Sequence, residues 1–135
     1  SGLTCIVKEH APHPRRGRAS PAPARAALCE ARNALLLVRS GLRVPRVLAV
    51  GSADAGSWVA LEEIVHSGSL EEQLAREPAA VRARLDELAQ LLARLHRAGF
   101  HHRDFYLCHL LEEERTGELV LIDLERVGVL GARGR

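Results

Sequence analysis

The chain has 135 residues with 47% hydrophobic and 27% charged side chains and a net charge of +2, a composition of one folded domain rather than a disordered or collagen-like chain. Its positive charge is local, with Arg15, Arg16, Arg18 and Arg25 close together, a patch that suits a phosphate-bearing ligand or an anionic membrane surface. Trp58, Phe100, Phe105 and Tyr106 are not interleaved with those arginines, which argues against nucleic-acid binding. Cys5, Cys29 and Cys108 are odd in number and lack CxxC spacing, so neither a disulfide framework nor a zinc ribbon is expected and a reducing cytoplasm fits. The longest apolar run, Ala34 to Val38, falls far short of the roughly 20 residues a membrane span needs.

In chain order, Leu3 to Lys8 reads as a strand, and the proline-rich stretch to Pro23 as a loop. A helix follows from about Ala24 to Ser40, with Ala27, Leu28, Leu35 and Val38 near one face and Gly41 as its stop. Val44–Gly51 and Ser57–Ile64 suit two antiparallel strands joined by the turn-rich residues 52–56. Ser69, followed by Glu71 and Glu72, caps a short helix, and Pro78 opens a longer one ending at Gly99, with Val81, Leu85, Leu88, Leu92 and Leu95 as its core stripe. After a polar loop, His109-Leu110-Leu111, the turn Thr116-Gly117 and the strand Glu118 to Ile122 complete a small hairpin. The expected class is α+β.

Phosphoryl transfer depends on placing charge: a carboxylate to orient the acceptor, ligands for magnesium, and a cation on the non-reacting phosphates. His102-Arg103-Asp104 and His109 fall in the spacing of the kinase catalytic loop H-R-D-x-x-x-x-N, with His where the metal-binding Asn stands, and Asp123 follows a strand. A surface loop is the bland alternative for an isolated His-Arg-Asp, and a zinc or iron site built from His96, His101, His102, His109 and Asp104 is another. Glu125 and Arg126 read as a surface ion pair, and Cys108 as packing.

The string from His101 to Leu111, with Leu121-Ile122-Asp123-Leu124-Glu125-Arg126, resembles the lipopolysaccharide core heptose and Kdo kinases, a bacterial branch of the protein-kinase-like superfamily. The His at the Asn position and Asp-Leu in place of Asp-Phe-Gly both point to that branch. The resemblance implies a kinase-like fold with a partial N-lobe over 1–64 and a partial, mostly helical C-lobe over 65–135. It implies ATP and Mg²⁺, with Lys8 on the α- and β-phosphates, Glu30 as its carboxylate partner, and backbone groups of Glu62 to Ile64 on adenine. Asp104 would orient a sugar hydroxyl and accept its proton within the motif shared with His102 and Arg103. Asp123 and His109 would hold the metal, although a softer nitrogen ligand leaves His109 equally suited to orienting Asp104 or contacting phosphate. The implied acceptor is a lipid-linked lipopolysaccharide core, met at the cytoplasmic face of the bacterial inner membrane. Seven residues precede Lys8, which leaves no place for the glycine-rich loop. An incomplete domain is expected, with a pseudokinase, a nucleotide-binding fragment or another small-molecule or protein kinase as rivals.

Overall fold

The computed structural model describes residues 4–11, 22–53 and 56–131; Arg15, Arg16 and Arg18 of the basic patch lie outside them. Three strands, β1 (Cys5–His10), β2 (Val47–Ala53) and β3 (Gly56–Glu62), form an antiparallel sheet in the order β1-β3-β2. Lys8 pairs with Val59 and Ile6 with Leu61, so the strand-alternation rule puts Ile6, Lys8 and His10 on one face of β1.

Helix α1 (Pro23–Arg39) packs on this sheet, with Ala27 and Ala31 against Val59 and Leu61. Proline at the first turn suits its start, because that N–H has no helical partner in any case. Its end is a Schellman turn: Gly41 lies at φ +75°, its amide donates to the Val38 carbonyl at 3.0 Å, and the Leu42 amide to the Leu37 carbonyl at 3.0 Å. The buried face differs from the one expected. Ala26, Ala27, Glu30, Ala31, Asn33, Ala34 and Leu37 turn inward, whereas Leu28, Leu35 and Val38 are exposed. Alanines let the helix axis approach the sheet closely, and two polar side chains have partners inside, so size and hydrogen bonding outweigh hydrophobicity here.

The remaining chain holds a second antiparallel sheet of β4 (His66–Ser69), β6 (Leu110–Glu113) and β7 (Leu119–Leu121) in the order β4-β6-β7, and a two-stranded pair of β5 (Phe100–His102) and β8 (Val127–Val129). The hairpin of β6 and β7 is the one the Thr116-Gly117 turn predicts, while β4, β5 and β8 are strands where the sequence reads as loop. Helix α2 (Leu70–Arg76) starts with a full capping box between Ser69 and Glu72. The long helix expected from Pro78 is two pieces, α3 (Pro78–Arg82) and α4 (Leu85–Arg97). Arg84 stands at the break and reaches the Gly117 carbonyl at 2.8 Å and Glu112 at 2.7 Å. The interruption shifts the phase of the leucine stripe: Leu85 is 59% exposed, and Leu91 and Leu95 fill the core, with Leu88 and Leu92 partly buried against it.

The main core joins the two halves, packing Leu37, Leu42 and Val44 against Leu70, Leu91, Leu95, Leu110, Leu121 and Leu124. Arg43 links the two larger sheets by charge, with Nη1 3.1 Å from Glu62 Oε2 and Nη2 2.9 Å from Glu113 Oε1. Burial works against its charge, but the hydrogen bonds and charges of Glu113 and Glu62 outweigh that and raise its pKa.

Candidate functional site

Residues far apart in sequence meet where the first sheet faces the end of β7. Lys8 Nζ, from β1, lies 2.7 Å from Glu30 Oε1 on α1 and 2.8 Å from Asp123 Oδ1. The Glu30 side chain is 0% exposed, Lys8 29% and Asp123 35%, so the cation spans from a dry carboxylate to one that solvent and ligands reach. Burial pulls the Lys8 pKa down, but the charge of Glu30 and the hydrogen bonds to Asp123 and Glu30 raise it on balance. Asp123 goes the other way: burial raises its pKa, and the hydrogen bond and charge of Lys8, with His109 and His102 behind them, hold it below the usual carboxylate range.

Asp123 has φ 59° and ψ 56°, the one non-glycine with positive φ among the described residues. Aspartate tolerates this left-handed geometry better than most residues, and the reversal carries the chain from β7 into the 3-10 turn Leu124–Arg126. Asn33, buried on α1, fixes that turn to the helix: its Nδ2 donates to the carbonyls of Leu124 at 2.8 Å and Val127 at 3.1 Å. His10 adds another tie, with Nδ1 3.1 Å from Glu125 Oε2 and Nε2 3.5 Å from Glu30 Oε2. Sequence analysis missed Asn33 and His10. The two-residue step from Lys8 marks His10 as sharing its face, whereas nothing local marks Asn33.

The loop after β5 is held by its own backbone. His102 Nε2 lies 3.3 Å from the Ile122 carbonyl, so that nitrogen carries the proton, while Nδ1 accepts the Asp104 amide at 3.1 Å. Burial, partly offset by the bond to Ile122 and reinforced by His109, lowers the His102 pKa and keeps the ring neutral. Both nitrogens therefore serve the backbone, and His102 positions the loop instead of meeting a substrate. His109 Nδ1 lies 2.7 Å from the Asp104 carbonyl, an acceptor, so Nδ1 donates and Nε2 is left facing Asp123 Oδ2 at 3.6 Å. A lone pair and a carboxylate oxygen at that separation repel unless a proton on Nε2 or a cation lies between them.

His109 stands between the Asp104 backbone and Asp123, and Asp104 Oδ2 sits 2.8 Å from Arg126 Nη1. Glu125 and Arg126, expected as a surface pair, turn to different partners, His10 and Asp104. Arg103 is exposed and lines a different cavity.

A cleft of about 310 Å³, in the size range of small-molecule sites, opens beside Lys8 and Asp123, and its described lining does not include Asp104. Lys8, Glu30, His109 and Asp123 form its polar end, and Ile6, Leu61, Ile64, Leu111 and Ile122 give it apolar walls. Glu62 lines it too, but its carboxylate faces Arg43. The Glu62 amide donates to the Arg46 carbonyl at 2.8 Å and that of Glu63 to the Thr4 carbonyl at 3.2 Å, so those two N–H groups are already engaged. Among the described residues no three His, Cys, Asp or Glu side chains gather as a metal centre, which leaves the zinc or iron alternative without a geometry. Magnesium asks less of a protein, commonly one or two carboxylates with phosphates and water completing the shell, and Asp123, 35% exposed at the polar end of the cleft, is of the ligand type such an ion takes. No helix among the described residues is long and apolar enough to cross a membrane.

The family model described as lipopolysaccharide kinase (Kdo/WaaP) family matches residues 14–131. No curated protein matches the chain. Among solved structures, the bifunctional kinase-methyltransferase WbdD is similar over 98% of this chain and 30% of its own, with a TM-score of 0.66 and 21% identity. WbdD bound to the kinase inhibitor LY294002 gives a TM-score of 0.64 at 21% identity, covering 96% of this chain and 30% of that one. The Cydia pomonella granulovirus kinase PK-1 gives 0.65 at 18% identity, over 97% of this chain and 46% of that one. The fold is kinase-like, and the chain spans less than half the length of these proteins.

Proposed function

Since this chain belongs to the lipopolysaccharide kinase (Kdo/WaaP) family, we propose that its cleft moves the γ-phosphate of ATP to a sugar hydroxyl, a heptose or Kdo, on a lipid-linked lipopolysaccharide core. The observation that carries this reading is the meeting of Lys8, Glu30 and Asp123 at one end of an apolar-walled cleft. Glu30 holds the ammonium of Lys8 in place, and Lys8 neutralises the non-reacting phosphates. Ile6, Leu61 and Leu111 on the apolar walls would hold adenine, with the backbone around Ile64 at its edge.

Asp104 Oδ1 accepts the proton of the sugar hydroxyl as its oxygen attacks phosphorus, and Arg126 on Oδ2 keeps the carboxylate charged and aimed. Magnesium, held by Asp123 with phosphate oxygens, would draw off the negative charge that builds on the transferring group. His109 steadies both acids, its Nδ1 on the Asp104 backbone and its Nε2 toward Asp123. Work at the cytoplasmic face of the inner membrane follows from such an acceptor.

Labelled ATP and purified core oligosaccharide test the reading. Label should appear on the sugar with the parent chain and fall at least about 1,000-fold with Asp104→Asn, given the size of a lost general base together with lost positioning. Transfer at the parent rate in that variant would remove Asp104 from the mechanism.

A further inference from the structure

Strand β1 grips the turn after Asp123 at two points. Lys8 reaches Asp123 Oδ1 at 2.8 Å, and two residues further along the same face of the strand His10 places Nδ1 3.1 Å from Glu125 Oε2. Glu30 stands behind both with one carboxylate oxygen for each, Oε1 2.7 Å from Lys8 Nζ and Oε2 3.5 Å from His10 Nε2. Asp123 and Glu125 are themselves two residues apart, so these five side chains close a ring that joins β1, α1 and the turn.

The two grips differ in their access to a ligand. Lys8 and Asp123 line the nucleotide cleft and are 29% and 35% exposed, whereas the side chains of His10 and Glu125 are 6% and 12% exposed and are not among the residues that line it. A nucleotide arriving with a divalent ion competes for both members of the first grip, because an ammonium is drawn to phosphate and a carboxylate to the ion. The second grip stays out of its reach. Asp123 also holds a left-handed backbone, φ 59° and ψ 56°, a conformation that costs free energy and persists only where surrounding contacts impose it. Loss of the Lys8 contact removes one such constraint just when the direction of the Asp123 carboxylate matters.

Resting on the phosphotransfer reading, we propose that His10 and Glu125 are positioning residues: their contact keeps the turn registered on β1 while the nucleotide exchanges the Lys8–Asp123 ion pair for its own contacts, and so keeps Asp123 aimed at the metal. His10 acts through its Nδ1–H on Glu125, and Glu30 at the other edge of the ring fixes how the imidazole is turned. Neither residue touches the nucleotide. The latch therefore governs what the metal adds to nucleotide binding and leaves metal-free binding alone.

The test measures dissociation constants of a non-hydrolysable ATP analogue by calorimetry on the full chain, with and without Mn²⁺, which takes the same oxygen ligands as Mg²⁺. The ratio of the two constants is the gain from the metal, read without turnover. His10→Phe, which keeps a ring but no N–H, and Glu125→Leu should each cut that gain about tenfold, the lower end of the loss typical when a group that orients a metal ligand is removed, and leave metal-free affinity unchanged. His10→Asn puts an amide donor where Nδ1 stood and should keep the gain. His10→Gln puts it where Nε2 stood, beside Glu30, and should lose the gain as the phenylalanine variant does.

An asparagine variant that behaves like the phenylalanine one, or a parent-sized gain in Glu125→Leu, would overturn the latch. Lowered stability is controlled by Arg84→Ala, which removes contacts to Gly117 and Glu112 outside the lining of the cleft and should lower the melting temperature with the gain intact. An equal loss of gain in that control would count against the latch as well. If His10→Phe does not fold, the contrast between asparagine and glutamine together with Glu125→Leu decides the matter. A parent that binds no analogue sinks the phosphotransfer reading and the latch with it, whereas a parent whose gain is absent, or is shared by every variant, sinks the latch alone.

Discussion

Replacing Lys8 by methionine removes the ammonium that lies 2.7 Å from a carboxylate that is 0% exposed. Breaking a buried ion pair by deleting one partner typically costs about 3–5 kcal/mol, because the remaining charge stays desolvated. Two features reduce that figure here. Lys8 is 29% and Asp123 35% exposed, so water replaces part of what is lost, and the polar His10 ring stands with Nε2 3.5 Å from the other Glu30 oxygen. A loss of about 2–3 kcal/mol is expected for Lys8→Met in urea unfolding near neutral pH. The double variant Lys8→Met/Glu30→Gln, which withdraws the stranded charge, should recover half or more of it. Both variants should lose stabilisation by ATP and magnesium. If Lys8→Met unfolds at the same urea concentration as the parent, or if the double variant is no more stable than the single one, Glu30 is not the dry, cation-dependent carboxylate described above.

Asn33→Ala withdraws a donor from two carbonyls, and because Leu124 keeps a second bond from the Val127 amide the cost should be about 2 kcal/mol, seen in calorimetry as a drop of about 6–10 °C. The same variant should bind nucleotide more weakly, since α1 carries Glu30; unchanged affinity would show that the helix needs no such tie. Below its ordinary value of 6.5, the lowered pKa of His102 means that the unfolded chain takes up a proton that the native ring refuses. Melting temperature should therefore fall as pH drops from about 6.5 toward the folded value, and His102→Asn should flatten that part of the profile. The depressed Asp123 carboxyl adds stability that is fully present above its usual 3.8 and is lost as pH falls through its folded value; Asp123→Asn should remove that acid-side slope and, separately, magnesium-dependent nucleotide binding.

Much of this arrangement was legible in the sequence because charged residues at fixed separations form a pattern that can be read before the chain is folded. The loop from His102 to His109, the strand-borne Asp123 and Lys8 ahead of a helix bearing Glu30 all sit at telling positions. The structure brings Lys8, Glu30, His109 and Asp123 to one cleft. What stayed hidden depended on the third dimension. Asn33 looks like any helical asparagine until the turn at Leu124 is folded against it, and Arg126 reaches Asp104 across 22 residues of chain. The inward face of α1 was misjudged because large apolar residues suggest a core, whereas the sheet accepts alanines at close range and leaves Leu28 and Leu35 outside. Strands of three or four residues such as β5 and β8 are too short to show alternation, so only their pairing reveals them.

Arg43, clamped between Glu62 and Glu113, fastens the sheet that carries Lys8 to the sheet whose last strand runs into Asp123. The fastening is a pair of partly exposed ion pairs, which dissolved salt screens. Raised ionic strength should therefore loosen the join between the two sheets before it loosens either sheet.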